Sequence, residues 1–178
     1  MRIISGKYKG KKLDGYNIDG TRPTMDRVKE SLFGSIQNKL KNSICLDLFA
    51  GSGSLGLEAL SNGASICYFV DNNNIVINTL KKNLINLKCD DGITIYSDYV
   101  KALEKLKNEN KKFDIIFLDP PYKLNLINNC INLIKKYDLL NIDGIIVCEY
   151  ETEIIDNNDL NLIKEKKYGS TYIKIFQN

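Results

Sequence analysis

From residue 44 onward, short continuous apolar runs alternate with amphipathic stretches, and this alternation restricts the fold more than any other feature. "ICLDLF", "ICYFV", "ITIY", "DIIFL" and "GIIVCEY" have strand length and little internal polarity. Between them lie "LGLEALSNG", "NIVINTLKKNLINL", "YVKALEKLKNE" and "LNLINNCINLIKKYDLL", which carry helical spacing, the first of them stopped by Gly63. Continuously apolar strands joined by helices form a parallel sheet covered on both faces. The tail "LNLIKEKKYGSTYIKIFQ" reads as two more strands around Gly169, an antiparallel hairpin. The expectation is a Rossmann-like α/β core over residues 44–178 with a mostly parallel seven-stranded sheet. Such sheets bind ligands at the carboxyl ends of their strands, near the reversal of strand order. The loops after strands one to four are therefore where chemistry belongs.

Residues 1–43 read differently. Residues 2–13 alternate loosely around Gly6 and Gly10, which suggests a basic hairpin. In "TRPTMDRVKESLFGSIQNKL", Thr24 suits a helix N-cap, and Met25, Val28, Leu32, Ile36 and Leu40 form one buried stripe. These 43 residues hold ten Lys or Arg against four acids, and the remainder holds fifteen against eighteen. Basic runs usually mark a solvated face, yet this concentration also suits contacts to phosphates. The whole chain, 178 residues, is expected to be a single domain.

Composition excludes several classes. There is no histidine, so histidine bases and histidine metal ligands are absent. The five cysteines, Cys45, Cys67, Cys89, Cys130 and Cys148, form no CxxC pair and sit in apolar runs, so they read as reduced, buried hydrophobes. No metal is expected. No apolar run reaches the ~18 residues of a membrane span, and "MRIISGKYKGKK" lacks a signal-peptide core. A cytoplasmic monomer without membrane association is the expectation.

"DLFAGSGSLG" places Gly51, Gly53 and Gly56 in a G-x-G-x-x-G pattern, with Asp71 twenty residues after Gly51. Taken literally this is the dinucleotide fingerprint, so an NAD-dependent oxidoreductase is a rival. Two acids favour S-adenosylmethionine instead. Asp47, at the end of strand one, would repel a pyrophosphate but suits the ammonium of methionine. Asp98, after strand three, can accept a hydrogen bond from an adenine amine, with Tyr99 against the ring. A plain N-cap is the structural alternative for Asp98. Asp47, Asp71 and Asp98 carry weight as a set, with Asp71 taking ribose hydroxyls. Phe49, Ala50, Gly51, Ser52 and Gly53, with Asn72, complete the candidate cofactor contacts, and Thr24 joins them if its helix faces the methionine carboxylate.

"FDIIFLDPPYK" then ends strand four with two of the chain's three prolines. An exocyclic base amine is a poor nucleophile until its N–H groups are held by acceptors. Asp119 offers a carboxylate, and Pro120 a carbonyl that the fixed φ of Pro120 and Pro121 keeps out of any strand. Tyr122 offers a face for a stacked base. A simple strand-ending turn is the alternative. No cysteine lies in this loop, which argues against carbon methylation of pyrimidines.

These pieces carry a resemblance. "RIISGKYKGKKL", "TRPTMDRVKESLF", "LDLFAGSGSLGLEALSNGA", "DPPY" and "YGSTYIKIF" resemble, from end to end, the bacterial RsmD-type family of small-subunit (16S) ribosomal RNA guanine-N2 methyltransferases. The resemblance implies a class I S-adenosylmethionine-dependent methyltransferase fold, methylation of a guanine N2 amine, and small-subunit ribosomal RNA or the subunit itself as partner. Arg2, Lys7, Lys9, Lys11, Lys12, Arg22 and Arg27 are the candidate RNA contacts, of a kind that positions without specifying. The DPPY form itself leaves the base open. A DNA adenine-N6 or cytosine-N4 methyltransferase and a non-catalytic ribosome-assembly factor are the other readings.

Overall fold

A computed structural model describes residues 1–15, 26–121, 124–156 and 159–178. The strands are β1 (Ile44–Asp47), β2 (Ile66–Asp71), β3 (Gly92–Tyr96), β4 (Phe113–Leu118), β5 (Leu140–Tyr150), β6 (Asn161–Tyr168) and β7 (Thr171–Gln177). The helices are α1 (Asp26–Ser35), α2 (Gln37–Leu40), α3 (Ser54–Ser61), α4 (Asn74–Leu87), α5 (Tyr99–Asn108) and α6 (Ile127–Lys136). All seven strands form one sheet in the order β3-β2-β1-β4-β5-β7-β6. The first five are parallel; β7 runs antiparallel to both β5 and β6. The expected sheet and its C-terminal hairpin are both present.

Alternate strand residues feed opposite layers. Cys45, Phe69, Ile115, Phe117, Val147 and Ile173 pack with α1, α3 and α4. Leu46, Tyr68, Val70, Ile116, Leu118, Ile146 and Phe176 pack with α5 and α6. This is the two-sided burial that continuous apolar strands require. All five cysteines are buried and unbonded. Among the described residues no helix is long and apolar enough to cross a membrane.

The single helix expected through residue 40 is interrupted. Ile36 leaves helical geometry (φ −110°, ψ 11°) and separates α1 from α2. Gly34, a weak helix former, precedes the break. The bend still buries the stripe, because Val28, Leu32, Ile36 and Leu40 are each 1–2% exposed. The proposed cap Thr24 and the stripe residue Met25 lie outside the described residues. At the N-terminus, Arg2 and Lys12 make an antiparallel bridge, and Ile3 N–H donates to Lys11 O at 2.9 Å. This narrow basic hairpin closes over a 3-10 turn at Gly6–Tyr8.

Gly56 shows why the glycine run is placed where it is. A Cβ there would meet the Phe69 ring at 2.3 Å and Cys67 Sγ at 2.6 Å, so the glycine lets α3 lie against β2. Gly56→Ala should therefore destabilise the chain by about 1–3 kcal/mol through overpacking, measured by urea denaturation. An unchanged midpoint would mean that α3 shifts freely on the sheet.

Candidate active site

The loop after β1 emerges where the neighbours of β1 diverge. Leu48 N–H donates to Phe117 O of β4 at 3.2 Å, and Ala50 N–H to Val70 O of β2 at 2.9 Å. Gly51 (φ 55°) and Gly53 (φ 87°) occupy left-handed backbone, which glycine adopts without a Cβ penalty. The loop therefore turns sharply into α3 at the strand-order switch.

Acids surround it. Asp47 is 1% exposed and accepts from Gly56 N–H at 3.0 Å. Burial pushes its carboxyl up to about 7, against the lowering effect of that N–H and with a further push from Asp71. Asp71 is half-buried and spans two loops, accepting from Gly51 N–H at 3.1 Å and Asn73 N–H at 2.9 Å. Burial raises its pKa as well. With the Asn72 N–H also acting on it, the Asp71 carboxylate still keeps acceptor capacity for a ribose hydroxyl. Asn72 beside it is exposed. Asp98 is the N-cap of α5, accepting from Lys101 N–H at 3.0 Å, and Lys101 Nζ lies 3.5 Å from its other oxygen. The Lys101 N–H is the first cause of its lowered pKa. The capping alternative thus holds for Asp98. Tyr99 and Phe49 form an aromatic pair across the loops after β3 and β1, with centroids 5.6 Å apart.

A fourth carboxylate stands at the end of the strand beside this loop, since β4 pairs directly with β1. Asp119 follows β4 and Pro120 is buried, while Leu124 N–H closes the turn on the Pro121 carbonyl at 3.0 Å. Tyr122 lies outside the described residues. Burial first, then the carboxylates of Glu149 and Asp47, push the Asp119 pKa well up. Glu149 was not anticipated. It is 4% exposed on β5, and the Leu118–Cys148 register makes it the lateral neighbour of Asp119. The signal was available: an acid closes the apolar run "GIIVCEY", as Asp47 and Asp71 close theirs.

Two further polar residues support the loop. Asn83, 1% exposed on α4, donates to Ser52 O at 3.0 Å and binds Asp14 through both its amide groups. Ser54 Oγ, buried at the first turn of α3, has no hydrogen-bond partner among the described residues. Such an orphan hydroxyl beside the glycine turn suits a bound polar ligand. Together with the Asp71 carboxylate and the Phe49–Tyr99 pair, it fits the nucleoside and amino-acid ends of S-adenosylmethionine. Among the described residues no cluster of three metal-ligating groups exists.

The N-terminal cations lie elsewhere. Arg2 pairs with Asp26 at 2.8 Å. Lys7 sits over the Tyr8 ring, and Tyr8 N–H donates to Ser61 Oγ at 2.9 Å, at the far end of α3 from the glycine loop. The eight residues of α3 separate that tip from the loop by about 12 Å. Lys9, Lys11, Lys12 and Arg27 are exposed, and Arg22 lies outside the described residues.

The family described as "Conserved hypothetical protein 95" matches residues 1–177. The chain is 40% identical to the Ribosomal RNA small subunit methyltransferase D of Haemophilus influenzae, over 100% of this chain and 94% of that protein. It belongs to the RsmD family. The Escherichia coli Ribosomal RNA small subunit methyltransferase D is 35% identical over 99% of this chain and 89% of its own length. Among solved structures, yhhF from Escherichia coli superposes with a TM-score of 0.87 at 31% identity, covering 100% of this chain and 97% of that one. An RNA methyltransferase from Salinibacter ruber, in complex with S-adenosyl-L-homocysteine, shares the fold at 11% identity and a TM-score of 0.68, over 88% and 93% of the two chains. As a member of the RsmD family the chain has the class I methyltransferase fold, with the glycine loop and the Asp-Pro-Pro turn following neighbouring strands at the carboxyl edge of the sheet.

Proposed function

We propose that the chain is an S-adenosylmethionine-dependent methyltransferase acting on the N2 amine of a guanine in small-subunit ribosomal RNA. The observation that carries the reading is the placement of Asp119 beside Glu149, next to the loop that Asp47 and Asp71 hold. When bound, S-adenosylmethionine supplies an electrophilic methyl group. Asp71 would hold its ribose, and Phe49 with Tyr99 would flank its adenine. Asp119 accepts one hydrogen of the target amine and the Pro120 carbonyl the other, which aims the nitrogen lone pair at the methyl. The proton that leaves the methylated amine passes to the Asp119 carboxylate.

The neighbouring acids support guanine over other bases. Its Watson–Crick edge places two adjacent donors, N1–H and N2–H, before Asp119 and Glu149. Adenine and cytosine place a ring acceptor beside the amine, which a carboxylate repels. The target base must leave its stack, least costly in a single-stranded loop.

The test is methyl transfer from labelled S-adenosylmethionine to unmodified small ribosomal subunits, naked ribosomal RNA and duplex DNA, followed by digestion to nucleosides. Label in N2-methylguanosine from RNA is the expected outcome. Label in DNA adenine or cytosine would replace the substrate class, and bound cofactor without transfer would favour an assembly factor.

A further inference from the structure

The C-terminal hairpin carries a second set of cations that the N-terminal reading does not include. Residues 161–177 hold four lysines, Lys164, Lys166, Lys167 and Lys174, against the single acid Glu165. That surplus equals the +3 of the whole chain, so the remainder is neutral in sum. Glu165 pairs with Lys174 at 3.6 Å. Among the described residues Lys164, Lys166 and Lys167 have no acidic partner. Lys164 and Lys166 instead donate to the neutral hydroxyls of Ser35 and Ser31 on α1.

Register places these charges at the catalytic edge. Lys166 pairs with Ile173, Ile173 with Glu149, and Glu149 lies beside Asp119. With strands ~4.8 Å apart, Lys166 stands about 10 Å from Glu149 and about 14 Å from Asp119, backbone to backbone. The cations lie over rings that are themselves buried or half-buried. Tyr150 and Tyr172 stack at 5.3 Å, Lys167 lies over Tyr172, and Lys166 over Tyr168. Exposed lysines without acidic partners, held along one edge strand near the Asp119 turn, suit contacts to a nucleic-acid backbone.

Resting on the function proposed above, we propose that the β6–β7 hairpin, with Lys164, Lys166 and Lys167, binds the RNA backbone flanking the target guanine. β6 is the edge of the sheet, and edge strands also carry lysine to block pairing with other chains. That role predicts no effect on RNA binding, which separates the two.

The experiment compares the wild-type chain, K164Q/K166Q/K167Q, and K7Q/K9Q/K11Q/K12Q. Each is titrated into a fluorescein-labelled single-stranded RNA 20-mer across salt concentrations, and into unmodified small subunits. All substituted residues are exposed, and a thermal melt checks folding. Losing three phosphate contacts should flatten the slope of log K against log salt by about 2 and weaken binding at low salt by at least tenfold. An unchanged slope and affinity in the hairpin variant, with the loss carried by the N-terminal variant, overturns the proposal. Methyl transfer at saturating RNA is read on the same preparations. Wild-type transfer to RNA with an unaltered hairpin slope overturns the hairpin role alone. A wild-type chain that binds the 20-mer through these lysines but transfers no methyl to the unmodified small subunits upholds RNA binding by the hairpin and overturns the function. Binding of duplex DNA and not RNA overturns both.

Discussion

Asp119→Ala should lower methyl transfer by about 10²- to 10³-fold, the usual cost of removing one preorganised polar partner, with S-adenosylmethionine binding retained. Asp119→Asn should at the same time raise the melting temperature at pH 8. The first expectation follows from the acceptor role proposed for Asp119, and the second from its surroundings: burial, then Glu149 and Asp47, push its carboxyl well up. In the unfolded chain an aspartate titrates near ~3.9. Between that value and the raised folded value, the folded chain binds a proton that the unfolded chain has lost. Stability therefore falls as pH rises through this window, and the loss is complete above the folded pKa. Asparagine keeps an acceptor oxygen and has no charge to bury. Its advantage should be largest at pH 8 and gone near pH 4, at about 2–4 °C for each kcal/mol in a chain of this size. Under the proposed mechanism the same titration should also govern activity. Asp119 accepts amine hydrogens best when ionised, so transfer should rise with pH across the window in which stability falls. A melting difference that stays constant from pH 4 to 8 would remove buried charge as the cause.

How much of this was legible in advance differs from residue to residue. β2 and α4 are local patterns: an apolar run between turns, and fourteen residues of helical spacing capped by Asn73. Both are readable without tertiary information. Asp47, Asp71 and Asp119 were legible because each follows an apolar run, and the fold brings all such ends to one edge. Glu149 has the same signature, but its importance lies in its register with β4, which no local pattern encodes. The hairpin lysines were hidden by arithmetic over a longer stretch, since residues 44–178 average them against an acidic middle. α6 starts at Ile127 because Glu153, from a later loop, accepts from Ile127 N–H at 3.2 Å and Asn128 N–H at 3.1 Å. A cap delivered from 25 residues away leaves no mark in the helix's own sequence. Glu58 was similarly concealed, because an acid within "LGLEALSNG" reads as a solvated helix position.

Glu58 is instead fully buried, and it yields the largest stability effect expected here. Its carboxylate accepts from Ile4 N–H at 3.0 Å, from Ser5 N–H at 2.8 Å and from Ser5 Oγ at 2.9 Å, and lies 3.5 Å from Lys29 Nζ. Both side chains of the ion pair are 0% exposed. Burial lowers the Lys29 pKa, and Glu58 opposes that shift. Removing one member of a buried pair typically costs about 3–5 kcal/mol, because a charge is left without compensation. Glu58→Leu should sit at the high end, since it strands the Ile4 and Ser5 amides as well as the ammonium. Lys29→Met should cost less, because three neutral donors still hold the carboxylate. The double variant K29M/E58L removes both charges and should recover part of the loss, leaving the unpaired amides as the remainder. Thermal melts of the four proteins test this order; equal melting temperatures for the two single variants would show that the amides contribute nothing. The effect should reach the cofactor too. Glu58 pins the N-terminal segment to α3, and that segment carries Asp14, which Asn83 ties to the Ser52 carbonyl of the glycine loop. Loosening the segment removes one support of the loop. S-adenosylmethionine affinity should therefore fall in E58L at temperatures where the variant is still folded, although Glu58 lies a full helical turn beyond the loop.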